Sequence, residues 1–201
     1  VWLNPFYPSP QHDNGYDISD YTAVNPLFGS MDDFEEMIQV GKEYGIEFML
    51  DMVLNHCSTE HEWFQKALAG DNYYQDFFFL RDEPTDWLSK FGGSAWAPFG
   101  DTGKYYLHLY DVTQADLNWH NPRVREELFK VVHFWLDKGV KGFRFDVINV
   151  IGKDEILENC PENDGKPAYT DRPIVHEYLH MLNEETFGTD EAIMTVGEMS
   201  A

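Results

Sequence analysis

The stretch GFRFDVIN at residues 142–149 decides the fold, because it joins a strand-like apolar run to several charged or polar side chains. Its first part, residues 142–147, is dominated by apolar residues, as are residues 1–3, 47–53 and 192–196. Short apolar runs of this kind are typical of parallel strands that are covered on both faces. The sequence therefore predicts four buried parallel strands.

Helical periodicity lies between these runs. Residues 31–44 carry apolar side chains on a helical period and follow Ser30, which can cap a helix. Residues 122–138 begin with a proline in the first turn and end at Gly139, and residues 173–187 form a third predicted helix. Strands that alternate with helices indicate a parallel α/β architecture.

One long interruption divides this pattern. Residues 57–121 show little periodicity after their first turn and are too long for an ordinary loop. We therefore predict an inserted subdomain at residues 57–121, between one α/β part at residues 1–56 and another at residues 122–201. The chain has 201 residues, fewer than the ~250 of a complete eight-stranded barrel, and both ends fall in apolar runs, so we expect the fold to continue beyond them.

The composition argues against two classes of partner. A net charge of −22 repels the phosphates of nucleic acids and of anionic membranes. Cys57 and Cys160 lie far apart without metal-binding spacing, so we expect free thiols. The chain has neither a signal peptide nor an apolar run near ~20 residues. These features predict a cytoplasmic protein and leave its oligomeric state open.

Polar side chains follow all four predicted strands. Strand by strand they are Tyr16 and Asp17, then His56, then Arg144 and Asp146, and finally Glu198. The carboxyl ends of parallel strands meet at one rim of a sheet, where α/β enzymes place their active sites. Helix capping would explain such residues after one strand, but their presence after four favours a site.

The charged residues suit one kind of chemistry. Glycoside hydrolysis with retention needs one ionised carboxylate to attack the sugar and one protonated carboxyl group to release the leaving oxygen, ~5–5.5 Å apart. Arg144 lies two residues before Asp146, on the same strand face, and a guanidinium there favours an ionised carboxylate. We therefore expect Asp146 to be the nucleophile and Glu198 to be the acid.

Residues 51–56, 142–149 and 196–200 resemble sequence blocks of the α-amylase family, glycoside hydrolase family 13. Residues 15–21 resemble the oligoglucosidase branch of that family. The similarity runs through nearly the whole chain, from the second to the fifth strand of the family's barrel. It implies a partial (β/α)8 barrel with an inserted B subdomain after the third barrel strand.

The resemblance also implies roles for the residues at the rim. Asp146 matches the nucleophile, Glu198 the acid/base and Arg144 the residue that orients the nucleophile. Asp17 and His56 match residues that hold the hydroxyl groups of the cleaved sugar.

Other matching positions are less specific. Tyr16 matches a residue that either stacks on the sugar or packs. Asp51 and Asn55 are expected to support the loop geometry. A third catalytic carboxylate of the family would lie beyond residue 201. No cofactor is implied, and any calcium would bind in the part of the family's sequence that precedes Val1.

The substrate is suggested by weaker markers. Val147 resembles members that act on α-1,6 or α-1,1 bonds, and residues 114–119, 169–171 and 194–200 resemble enzymes that hydrolyse trehalose 6-phosphate to glucose and glucose 6-phosphate. Arg172 departs from that pattern. Oligo-1,6-glucosidase activity is the alternative. Candidate cations for a phosphate group are Lys90, Lys104, Lys153 and Arg172.

Two rival interpretations come from other classes of protein. His176, Glu177 and His180 fit the HExxH pattern of zinc proteases on a predicted helix, although no third histidine ligand follows. The family also resembles the ectodomains of amino-acid transporter heavy chains, which keep this barrel without its chemistry. Those proteins are expected to lose the paired carboxylates, and this chain keeps Asp146 and Glu198.

Overall fold

The computed structural model describes residues 1–200, which fold around one parallel sheet. In chain order the strands are β1 (Trp2–Leu3), β2 (Met49–Val53), β3 (His56–Ser58), β4 (Leu80–Arg81), β5 (Trp96–Pro98), β6 (Tyr105–Leu107), β7 (Gln114–Asp116), β8 (Gly142–Asp146) and β9 (Met194–Gly197). The helices are α1 (Met31–Glu43), α2 (Glu62–Leu68), α3 (Asn72–Gln75), α4 (Pro122–Asp137) and α5 (Ile174–Leu182).

The central sheet has the order β1-β2-β8-β9, and every neighbouring pair is parallel. This confirms the partial barrel, and within residues 1–200 the sheet does not close. Asp51 on β2 lies beside Arg144 on β8, and Val53 lies beside Asp146. Two strands begin later than predicted, at Met49 and Met194.

The predicted helices are present, with different ends. Ser30 caps α1 in a capping box with Asp33, and Asn121 caps α4 just before its first-turn proline. The third helix is shorter than predicted, because α5 covers Ile174–Leu182 and gives way to a single π-helical turn over Asn183–Phe187.

The inserted region is more regular than the sequence indicated. It contains α2, α3 and a three-stranded antiparallel sheet in the order β4-β6-β5. These elements are too short to give a visible period, since none exceeds seven residues. Strands β3 and β7 pair antiparallel at the point where the chain leaves and re-enters the barrel part. The boundaries at residues 57 and 121 stay a prediction.

Two further sequence features can be placed in the structure. Cys57 is buried and Cys160 is partly exposed, and both are free thiols. Across residues 1–200, no helix has the length and apolar character needed to cross a membrane.

Candidate active site

Carboxylates from three neighbouring strands of the central sheet converge on Arg144. Its Nη1 donates to both carboxylate oxygens of Asp51 at 2.8 Å and to Oδ1 of Asp146 at 2.9 Å. Its Nη2 lies 3.7 Å from Oε2 of Glu198. One guanidinium therefore contacts three carboxylates, and we call Asp51, Arg144, Asp146 and Glu198 the carboxylate cluster.

Asp51 is a member of this cluster that the sequence prediction missed. It was expected only to support a loop, but it lies within β2, 1% exposed, opposite Arg144. The hydroxyl group of Tyr16 donates to its Oδ2 at 3.0 Å. Burial raises the pKa of Asp51, although hydrogen bonds from Arg144 and Tyr16 oppose this. The strand register is what brings Asp51 to Arg144, and a correct register would have revealed the pair.

Asp146 is 8% exposed at the end of β8. Burial raises its pKa to about 7, and the negative charges of Asp51 and Glu198 add to this effect, while the hydrogen bond and charge of Arg144 oppose it. The predicted contact with Arg144 is present. Arg144 favours the ionised form of Asp146, as expected, but burial and the two neighbouring carboxylates outweigh its effect on the pKa.

A strained turn joins Asp146 to Glu198. Val147 has φ 40° and ψ 39°, a left-handed conformation that is rare for a β-branched residue. In this conformation its N–H donates to Oε2 of Glu198 at 2.8 Å. Two backbone hydrogen bonds join the ends of β8 and β9. The N–H of Glu198 donates to the carbonyl group of Phe145, and the N–H of Ile148 donates to the carbonyl group of Glu198. Asp146 and Glu198 are thus connected by hydrogen bonds between two neighbouring segments of the chain.

The segment after Glu198 is held from two sides. The side-chain amide of Asn149 donates to the carbonyl group of Ser200 at 3.0 Å and accepts from its N–H at 2.8 Å. From the inserted region, Lys90 and the Tyr110 hydroxyl group each lie 2.8 Å from Oγ of Ser200. The inserted region therefore contacts the rim beside Glu198, which the sequence did not predict.

Asp17 lies beneath the loop that follows β1. It is fully buried, and its carboxylate accepts from Ser9 Oγ and from the backbone N–H groups of His12 and Asp13, at 2.9–3.1 Å. These bonds fix the loop and leave the predicted contact with a sugar hydroxyl group untested. Tyr16 points to Asp51, as described above, and its role likewise stays a prediction.

His56 is 2% exposed at the start of β3, and its ring contacts Tyr110. Burial lowers its pKa to about 4, so the ring is neutral at neutral pH. The side chain of Asn55 lies 3.1 Å from Nδ1. The other ring nitrogen, Nε2, is buried and makes no hydrogen bond of ordinary geometry, although a contact of the ring with the backbone of Tyr16 partly opposes the lowering of the pKa. An orphaned buried nitrogen of this kind is suited to a ligand.

The four candidate cations for a phosphate group lie in different places. Lys153 is fully buried and pairs with Asp116 at 2.8 Å, so its proposed role in phosphate binding is wrong. Arg172 pairs with Asp154 at 2.8 Å. Lys104 is exposed in the inserted region. Lys90 is the candidate that contacts the rim, through Ser200.

The HExxH segment does not contribute to the rim. His176, Glu177 and His180 are exposed on α5, whose buried residues are Val175, Tyr178 and Leu182. Among residues 1–200, no three His, Cys, Asp or Glu side chains are grouped so as to hold a metal ion.

Comparison with known proteins gives consistent matches. The family model described as "Alpha amylase, catalytic domain" matches residues 1–201. Trehalose-6-phosphate hydrolase of Bacillus subtilis is 50% identical over 208 residues, covering 100% of this chain and 37% of the relative. Oligo-1,6-glucosidase of Parageobacillus thermoglucosidasius is 46% identical over 210 residues, covering 98% of this chain and 37% of the relative.

A solved structure agrees with these matches. The crystal structure of Bacillus licheniformis trehalose-6-phosphate hydrolase superposes with a TM-score of 0.96 at 51% identity, covering 100% of this chain and 37% of that one. The chain therefore spans a little over a third of the length of the relatives that it matches.

Proposed function

Since the chain belongs to the α-amylase family of glycoside hydrolases, we propose that the protein containing it is a retaining α-glucosidase. We propose trehalose 6-phosphate as its substrate and glucose and glucose 6-phosphate as the products. The observation that carries the mechanism is the carboxylate cluster, in which Arg144 contacts both Asp146 and Glu198. The similarity to trehalose-6-phosphate hydrolases supports the choice of substrate.

The reaction has two steps. Ionised Asp146 attacks the anomeric carbon and forms a covalent glucosyl ester, while the Glu198 carboxyl group gives its proton to the leaving glycosidic oxygen. Glu198 then removes a proton from water, which attacks the ester and releases glucose with its original configuration. The two carboxyl groups supply this chemistry without a cofactor, and we expect none to be required.

Arg144 positions the nucleophile in this scheme. It holds Asp146 at 2.9 Å by a charge-assisted hydrogen bond, and it is anchored by Asp51 on the neighbouring strand. Because the pKa of Asp146 is raised to about 7, the nucleophile becomes fully ionised only above neutral pH.

Binding of the glucosyl unit is assigned to the residues that adjoin the cluster. His56 offers a buried Nε2, which makes no hydrogen bond of ordinary geometry, for a sugar hydroxyl group. Asp17 retains acceptor capacity beyond its three bonds to the loop, and Tyr16 lies beside the cluster through Asp51. We propose small carbohydrates as the only partners, and the cytoplasm, where two free thiols persist, as the location.

The test is a substrate comparison with the product of the complete reading frame that encodes these residues. We expect kcat/KM for trehalose 6-phosphate to exceed that for isomaltose, with Asp146→Asn as the inactive reference. Preference for isomaltose would replace the proposed substrate by the oligo-1,6-glucosidase alternative, which is supported by the 46% identical relative. Absence of glucose release from both sugars would contradict glucosidase activity altogether.

A further inference from the structure

Lys153 is an unusual residue in this chain, because its side chain is completely buried. Its Nζ contacts three acceptors: Oδ1 of Asn55 at 2.7 Å, the carbonyl oxygen of Val150 at 2.7 Å and Oδ2 of Asp116 at 2.8 Å. An ammonium group has three hydrogens and no acceptor, so each hydrogen meets one acceptor. Burial lowers the pKa of Lys153, and the carboxylate of Asp116 opposes this. The three short contacts identify the protonated form.

This ammonium group determines which way the Asn55 amide faces. The amide oxygen accepts from Lys153, and the amide nitrogen lies 3.1 Å from Oδ2 of Asp116. The reverse orientation would direct N–H groups at a cation and oxygen at a carboxylate. Charges of opposite sign on its two sides therefore fix the amide, so this assignment does not depend on distinguishing nitrogen from oxygen.

The fixed amide in turn determines where His56 carries its hydrogen. The Asn55 nitrogen is 3.1 Å from Nδ1 of His56, and this nitrogen can only donate. Nδ1 must therefore accept, and a neutral ring that accepts at Nδ1 carries its hydrogen at Nε2. Nε2 is the buried nitrogen that makes no hydrogen bond of ordinary geometry.

We infer that Lys153 is a positioning residue which, through Asn55, keeps His56 in the Nε2–H tautomer. His56 then presents a hydrogen-bond donor to the ligand. The effect of this tautomer on catalysis rests on the proposed glucosidase function, but the tautomer itself does not. The expected ligand group is an oxygen acceptor, such as a sugar hydroxyl group.

The contacts from Lys153 to Asn55 and from Asn55 to His56, which we call the relay, join several parts of the chain that carry the site. Asn55 follows β2, Asp116 ends β7, and Val150 lies in the turn after the nucleophile strand β8. Oδ1 of Asp116 also accepts from the N–H of Leu109 at 2.9 Å, so the inserted region is tied to the same ion pair. The position of His56 and the position of the Asp146 loop thus depend on one buried cation.

The direct test is neutron crystallography of the perdeuterated product of the complete reading frame. We expect deuterium at Nε2 and none at Nδ1 of His56, three deuterons on Lys153, and the deuterated amide nitrogen of Asn55 facing His56. Deuterium at Nδ1 would overturn the inference. This measurement needs no substrate, so it stands or fails independently of the proposed activity.

A near-isosteric substitution then tests causation. Asn55→Asp replaces the donor by an acceptor of the same shape, so we expect deuterium to move to Nδ1 of His56. Asn72→Asp is the matched control, because that asparagine is exposed at the start of α3. The control should leave both the tautomer and the kinetics unchanged.

Activity supplies the second readout. Removing the partner that orients a site histidine costs about 10–100-fold at metal sites, and we expect Asn55→Asp to lower kcat/KM by a similar factor. The loss should occur with every substrate whose glucosyl unit keeps its hydroxyl groups. It should persist for an aryl glucoside, because it concerns binding of the sugar and not departure of the leaving group. Retention of the Nε2–H tautomer in a folded Asn55→Asp protein would overturn the relay, whatever its activity.

Discussion

The carboxylate cluster and the buried ion pair of Lys153 with Asp116 differ in how their charges are balanced. In the cluster, one guanidinium contacts three carboxylates, and the pKa of Asp146 rises to about 7. In the pair, one ammonium group meets one carboxylate and two neutral oxygens, and every hydrogen is used. In the cluster, the excess of negative charge brings the pKa of Asp146 near neutral pH, so this group can change its protonation state. Around Lys153, each hydrogen has one acceptor, so the geometry is fixed. The experiments below compare these two regions.

The largest expected effect is at the nucleophile. Asp146→Asn should lower kcat by about 10⁴-fold or more, because the substitution keeps shape but removes the attacking charge. The urea concentration at the midpoint of unfolding should be unchanged or higher, since the substitution removes a buried negative charge that lies near two other carboxylates. Kinetics and urea titration measure both. Asp154→Asn, which lies in a partly exposed ion pair, is the control. Near-normal turnover of Asp146→Asn would reject the mechanism.

The next effect is on stability, at the balanced pair. Lys153→Met leaves Asp116 buried without its cation, so the free energy of unfolding should fall by about 3–5 kcal/mol. The double variant with Asp116→Asn should recover part of that loss. Urea titration of both proteins tests this, with Lys138→Met, from a surface pair with Glu35, as the control. A loss no greater than that of the control would mean that the pair is not structural.

Glu198→Gln should separate the two roles within the cluster. We expect a loss of about 10²–10³-fold on trehalose 6-phosphate, because the leaving oxygen needs a proton. An aryl glucoside with an activated leaving group should lose much less in its first step. Burst kinetics on the two substrates provide the comparison. Equal losses on both would remove Glu198 from the role of acid.

The smallest expected effect is a shift in pH dependence. Asp146 must lose its proton before it attacks, so kcat/KM should rise with pH through about 7, the pKa of Asp146. Asp51→Asn removes a negative charge that raises this pKa, so the rising limb should move to lower pH. Profiles of the two proteins measure the shift. Movement to higher pH would show that Asp51 acts mainly by holding Arg144.

The sequence predicted the parts of the site that depend on topology. Arg144, Asp146 and Glu198 were found because parallel strands place their carboxyl ends at one rim. Asp51 was misjudged, because its contact depends on strand register. Lys153 was misjudged too, because its partner Asn55 lies 98 residues away and a single sequence does not show that a lysine is buried.

Val147 connects the two catalytic candidates, Asp146 and Glu198, through its own backbone. Its peptide group is covalently attached to Asp146 and hydrogen-bonded to Glu198, so we expect a change in its backbone conformation to displace one carboxyl group relative to the other. Retention and inversion differ in the gap between two such groups. In this protein, the hydrogen bond from the Val147 N–H to Glu198 spans that gap. We therefore expect substitutions that change the backbone conformation of Val147 to disturb the spacing on which the proposed retaining mechanism depends.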